Sequence, residues 1–142
     1  MKASARNAMQ GKVTKLTPGA VNAEVEVTGP GGDTFVAVIT SASVQAMKLA
    51  VGRTCTVLIK APWVIVVRDD ARTTFSARNR LSGKVASVRK GAINAEVAIA
   101  LAGGSTVHAV ITNDAVDELG LAAGVPAAAL IKASHVVLAV DD

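Results

Sequence analysis

The chain repeats itself. A shift of 72 residues lays Ser4-Ala5-Arg6-Asn7 on Ser76-Ala77-Arg78-Asn79 and "GKV" at 11–13 on "GKV" at 83–85. The same shift lays "GAVNAEV" at 19–25 on "GAINAEV" at 91–97, "AVIT" at 37–40 on 109–112, and "LIKA" at 58–61 on 130–133, without a gap. A duplication on this scale overrides the one-domain expectation that 142 residues alone would suggest. The period is too long for a solenoid unit and suits a small globular domain. Two tandem domains are therefore expected, at 1–69 and 73–142. The stretch "RDDARTTF" at 68–75 is where the strand pattern breaks. A linker that short favours domains packed together.

Within each copy the pattern reads as strands. Val21, Ala23, Val25 and Val27 alternate with Asn22, Glu24 and Glu26, which gives one buried face and one wet face. "GPGG" at 29–32 and "AGG" at 102–104 are turns after that strand. "TFVAVI" at 34–39 is its hairpin partner, and "TCTVLI" at 54–59 and "WVIVV" at 63–67 are further strands. One short helix is expected from Ser41 to Leu49. Its counterpart runs from Asn113 to Leu119 and stops at Gly120, a C-terminal signal. About five strands plus one short helix per copy predicts an all-β chain of two OB-like Greek-key barrels. Domains this small are marginal alone, so an oligomer is expected.

Composition narrows the function. No run of 18 apolar residues exists, since the best stretch, Thr56 to Val67, is broken by Lys60 and Pro62. The N-terminal "MKASARNAMQGK" has no apolar signal core. The single Cys55 sits in "TCTVLI" as a buried small hydrophobe. These features predict a cytoplasmic protein with no membrane partner. The net charge of +4 is scattered, with no basic run of the kind that marks a nucleic-acid tail. His108 and His135 both lie in the second copy, opposite Val36 and Trp63, so no histidine site is duplicated. There is no cysteine pair with metal spacing and no phosphate loop; "GPGGD" lacks the Lys-Ser/Thr such a loop requires.

Both copies keep the same polar residues: Ser4/Ser76, Arg6/Arg78, Asn7/Asn79, Asn22/Asn94, Glu24/Glu96, Thr40/Thr112 and Lys60/Lys132. Each has a plain structural reading. Arg6 suits a surface ion pair, with Glu24 open to pairing with Arg6 or Lys12. Asn7 and Asn22 suit turns. Thr40 and Thr112 suit helix N-caps, and Lys60 suits a solvated strand edge. As a set they are hydroxyls, a guanidinium, an ammonium and amides with one retained carboxylate. Such donors converging from a turn, a strand end and a helix start describe an oxyanion pocket. No nucleophile–base pair stands out, which favours binding over catalysis.

"SARN…GKV…GAVNAEV", then "AVIT", then "IKAPWV", resembles the Mop-type molybdate-binding domain of the molbindins, twice over. The resemblance implies OB-like barrels, a homotrimer of two-domain chains, and molybdate held at interfaces between domains, with tungstate as a mimic. The same module occurs joined to a molybdate-responsive DNA-binding regulator and to a transporter ATPase. This chain has no room for either, so molybdenum storage and homeostasis is the implied role.

Carried over residue by residue, the main site would use Ser4, Ala5, Arg6 and Asn7, with Thr40, Ser43, Lys60 and Ala61 from a neighbouring domain. The second copy supplies Ser76, Ala77, Arg78, Asn79, Thr112, Lys132, Ala133 and Ser134. A second, axial oxyanion site would involve Gly19, Val21 and Asn22 and their counterparts Gly91, Ile93 and Asn94. The copies depart from each other where Ser43 meets Ala115 and where Pro62-Trp63 meets Ser134-His135. His135 either packs in place of Trp63 or makes one pocket pH-dependent.

Two other classes are weighed against this. An OB-type single-strand nucleic-acid binder needs aromatic platforms and a basic groove, and the chain offers only Phe35, Trp63 and Phe75 and no Tyr. An oligomerisation module without a ligand leaves the repeated donors unexplained.

Overall fold

The alternating patterns fold as antiparallel strands. The computed structural model describes residues 1–70 and 72–142. The first repeat gives β1 (Asn7–Thr17), β2 (Asn22–Thr28), β3 (Thr34–Thr40), α1 (Ser41–Ala46), β4 (Thr54–Ile59) and β5 (Ile65–Arg68). The second gives β6 (Asn79–Lys90), β7 (Asn94–Leu101), β8 (Thr106–Thr112), α2 (Asn113–Leu119), β9 (Pro126–Ile131) and β10 (Val137–Ala139). The chain is all-β, two curled five-stranded sheets in an OB-like fold, as the sequence pattern predicts. The long strands β1 and β6 run through both pairings of their sheets and are bulged at equivalent places, between Val13 and Lys15 and between Val85 and Ser87. Such bulges bend a strand and let a sheet curl.

The repeats exchange their last strands. One sheet has the order β10-β4-β1-β2-β3 and the other β5-β9-β6-β7-β8. Each sheet therefore takes four strands from one repeat and its fifth from the other. Val137 pairs with Leu58, and Ile65 pairs with Leu130 at the equivalent register. The buried Val66 and Leu138 carry core contacts across with these strands. Val13, Val25, Val27, Phe35 and Ile59 join Val85, Val97, Ile99, Val107 and Ile131 in one continuous core rather than two. At one point of the boundary the β2–β3 turn meets the β7–β8 turn. A Cβ on Gly31 would stand 1.6 Å from the Gly103 carbonyl oxygen, so only glycine fits there. Asp33 fastens the two turns by accepting hydrogen bonds from the Gly103 and Ser105 amides at 2.9 and 3.1 Å.

Two elements differ from the sequence reading. "WVIVV" is not one strand: Ala61–Trp63 form a 3-10 turn, and β5 starts at Ile65. The Trp63 amide donates to the Lys60 carbonyl at 3.0 Å, and the His135 amide does the same to Lys132 at 2.9 Å with Ser134 in place of Pro62, so the turn does not depend on the proline. Helix α1 ends at Ala46 rather than Leu49, because Lys48 turns left-handed with φ of 51°. Gly120 occupies the same place after α2 with φ of 61°. In both copies the next amide, that of Leu49 or Leu121, reaches back 3.0 Å to the carbonyl of Val44 or Val116 and closes the helix end.

Candidate functional site

The site grows from the start of β1. Asn7 opens that strand and pairs with Ile59, the last residue of β4. The residues just before Asn7 therefore lie beside those just after Ile59. This places Ser4 and Ala5 with Lys60 in one cleft of about 210 Å³, closed by Ala3, Leu58, Trp63, His135 and Val137. The 3-10 turn positions Lys60 at its start with an exposed side chain, while Ala61 behind it is buried. Ser4 and Lys60 come from the same repeat. His135 and Val137 come from the other one, carried in by the exchanged strand β10. The rings of Trp63 and His135, equivalent positions in the two repeats, meet each other at 5.1 Å between centres and 41° between planes. His135 thus packs against Trp63, and its buried Nδ1 has no hydrogen-bond partner.

The arginines and asparagines of the two "SARN" segments point across the repeat boundary. Arg6 pairs with Glu96 on β7, and Arg78 pairs with Glu24 on β2. Glu24 thus takes neither Arg6 nor Lys12 as partner. The hydrogen bond from its arginine holds each glutamate below the usual carboxylate range and raises that arginine further. His108 adds a contact in one copy only, its Nδ1 3.4 Å from Glu96. Asn7 and Asn79 are 1% and 2% exposed, and their side chains are spent on structure. The Asn7 amide donates to the carbonyls of Ile59 (3.2 Å) and His108 (2.8 Å), while its oxygen accepts from the His108 N–H (2.7 Å). Asn79 does the same with Ile131 and Val36. They are seam residues rather than turn residues.

Thr40, Ser43 and Thr112 lie elsewhere. Thr40 caps α1, its hydroxyl accepting from the Ser43 amide at 3.1 Å and donating to Ser43 Oγ at 2.8 Å. Thr112 caps α2 by accepting from the Ala115 amide at 3.1 Å. Thr40 is also the register partner of Asn22, at the opposite end of β1 from Ser4. The expected donors of one repeat therefore gather in two places, Ser4–Lys60 at one end and Thr40–Ser43 with the Gly19–Asn22 loop at the other. That loop is held by Ser41, whose Oγ donates to the Gly19 carbonyl at 2.9 Å. Asn113 does the same for Gly91 at 2.9 Å, which fixes Ile93 and Asn94 in turn. Val21 and Ile93, at the tips of these loops, stand 73% and 75% exposed. Lys132 and Ser134 are exposed in the second copy, and Ala133 is buried like Ala61.

Sequence reasoning missed Ala3, Leu58 and Val137. No local signal marks Val137, because its place depends on the strand exchange. The nucleic-acid reading loses its aromatics: Phe35 is in the core, Phe75 lies under Arg80, and Trp63 is committed to His135. Cys55 is buried and free, as expected. Among the described residues no three His, Cys, Asp or Glu side chains group as a metal site, and no helix is long and apolar enough to cross a membrane.

Comparison with known proteins agrees with this geometry. The TOBE domain model matches residues 3–66 and again 76–138. The molybdenum-pterin-binding protein MopA of Rhodobacter capsulatus is 46% identical over 139 residues, covering 98% of this chain and 52% of MopA. The molybdenum transport protein ModE of Herbaspirillum seropedicae is 40% identical over 141 residues, with 99% and 52% covered. The chain thus spans about half the length of these relatives. A solved structure of the cytoplasmic molybdate-binding protein ModG with molybdate bound superposes with a TM-score of 0.94 at 47% identity, covering 99% of this chain and 100% of that one. These relatives are named as binding or transport proteins. With the model matched twice and the repeats in register, the chain belongs to the TOBE-domain family and carries two Mop-type copies in tandem.

Proposed function

We propose that this protein binds molybdate reversibly, with tungstate as a mimic, and serves cytoplasmic molybdenum storage and homeostasis. Each repeat, 1–69 and 73–142, is one Mop-type binding domain in this reading. The observation that carries it is the cleft where Ser4 and Lys60 meet, in a chain that superposes end to end on a protein solved with molybdate. A tetrahedral dianion asks for cations and directional donors without a competing carboxylate. The cleft offers the Lys60 ammonium and the Ser4 hydroxyl, and the one glutamate that reaches the Ser4 segment, Glu96, is paired with Arg6. Each charge-assisted hydrogen bond to the anion contributes about 1.5–3 kcal/mol. The separation of Ser4 and Lys60 from Thr40 and Ser43 along one repeat supports a site completed by a neighbouring domain. The exposed Val21 and Ile93 support a homotrimer joined at those loops, the place of the axial oxyanion site.

Calorimetric titration with molybdate, repeated with sulfate, tests the reading together with molybdenum analysis of the purified protein and its mass in solution. Heat with molybdate and a mass of three chains are expected. Trp63 is the only tryptophan and lines the cleft, so its fluorescence should change in the same titration. Replacing Lys60 and Lys132 together by Ala should abolish most sites; an unchanged stoichiometry would remove them from the ligand set.

A further inference from the structure

Leu58, on the floor of the first cleft, and its counterpart Leu130 stand at the same register, yet only Leu58 is open. In the first repeat, Leu58 on β4 pairs with Val137 and with Ala8, and it remains partly exposed. In the second repeat, Leu130 on β9 pairs with Ile65 and with Arg80, and it is only 4% exposed. The neighbouring outward position shows the same contrast, since Thr56 is half-buried and Ala128 fully buried. Identical backbone pairing cannot produce this difference. It comes from side chains that the duplication does not share, and at Leu130 the cross-strand partner is Arg80 where Leu58 has Ala8.

Two such residues stand at the place. Phe75 aligns with Ala3, which lines the open cleft, and Arg80 aligns with Ala8. The Arg80 guanidinium lies 5.4 Å from the centre of the Phe75 ring. Arg80 is itself held at two more points, donating to the Thr73 carbonyl at 2.6 Å and to Asp69 at 2.8 Å. Asp69 and Thr73 both belong to the linker that joins the repeats. A cation stacked on a ring is a directional contact, and one anchored twice more is a rigid one.

We infer that Phe75, clamped by Arg80 against the linker, is a lid over the second cleft. It makes the two oxyanion sites of one chain unequal: the Ser4–Lys60 cleft is open to ligand, and the Ser76–Lys132 cleft admits it only when Phe75 moves. Phe75 and Ala3 are then the residues that set which repeat fills first and how large an anion each accepts. The assignment of molybdate as ligand rests on the reading above, whereas the asymmetry of the clefts does not.

The test reads access without relying on the ligand. In a full-length Cys55→Ala background, Leu58→Cys and Leu130→Cys each place one thiol on a cleft floor. The rate of alkylation by iodoacetamide reports its exposure. Leu58→Cys should react roughly tenfold faster or more, and adding Phe75→Ala should bring Leu130→Cys close to that rate. Equal rates with Phe75 present, or no gain from Phe75→Ala, would overturn the lid. Should Leu130→Cys fold poorly, Ala3→Phe gives the mirror experiment: it should slow labelling of Leu58→Cys, and an unchanged rate counts against the proposal. Molybdate added during labelling separates the two ideas. If the rates differ as expected but molybdate protects neither thiol, the lid stands and the molybdate assignment falls.

Discussion

Where the first repeat has Val36, Lys48 and Ala3, the second has His108, Gly120 and Phe75. The strands, registers and capping threonines of the two copies match. The difference teaches that the duplication holds its scaffold fixed and varies what borders the clefts and the seam. Retained polar residues are therefore of two kinds. Asn7, Asn79, Glu24 and Glu96 hold one repeat to the other, while Ser4, Lys60 and their counterparts stay exposed.

The largest break in the comparison should come from the seam asparagines. Replacing either by Ala leaves a backbone N–H and C=O of the opposite strand without partners, and each such buried group costs about 1–3 kcal/mol. The contacts of Asn79 with Val36 are buried throughout, whereas those of Asn7 with His108 are partly open to water. Urea unfolding should therefore show Asn79→Ala losing more than Asn7→Ala. Equal losses would mean that the two seams are alike in spite of His108.

The helix ends give a middle-sized effect of opposite signs. A side chain in left-handed backbone costs about 1–2 kcal/mol, part of which glycine returns through its unfolded freedom. Lys48→Gly should raise stability by up to about 1 kcal/mol, and Gly120→Ala should lower it by about 1 kcal/mol. Thermal unfolding of both variants checks this. A loss for Lys48→Gly would show that the lysine makes a contact worth more than its strain.

The smallest effect is in the acid limb. Glu24 and Glu96 are depressed by their arginines, so their ion pairs contribute fully above the ordinary glutamate range. That contribution disappears as pH falls through the lowered values. These groups face water, so the contribution is modest. Glu24→Gln and Glu96→Gln should each flatten the loss of stability on acidification. His108→Val should remove one of the charges that hold Glu96 down, which would bring the two seams closer together. A curve unmoved by either glutamine would remove the pairs from the stability of the fold.

Part of the cleft is legible in the sequence: Ser4 and Lys60 stand out as repeated donors, Ala5 follows from the family resemblance, and the three meet in one cleft. Thr40 and Thr112 were read as N-caps and are N-caps. The two roles open to Asn7 are not separable in the sequence, because a buried amide and a ligand amide are the same letters. Only burial distinguishes them, and burial depends on what the opposite repeat brings to the seam.

The sequence by itself determined the duplication, the strand inventory, the sites of turning and which polar residues both copies retain. Period-two alternation records which face of each strand is dry, and glycine, proline and threonine record where the backbone must turn. What only the tertiary structure decided is partnership: that β5 and β10 change places, that Arg6 reaches Glu96 and Arg78 reaches Glu24, and that Leu130 is covered while Leu58 is open. The reason is physical. Main-chain hydrogen bonds are the same at every residue, so two nearly identical repeats present two nearly identical edges to each final strand. Each final strand follows a short turn, Ala61–Trp63 or Ala133–His135, and it crosses to the other repeat's sheet from there.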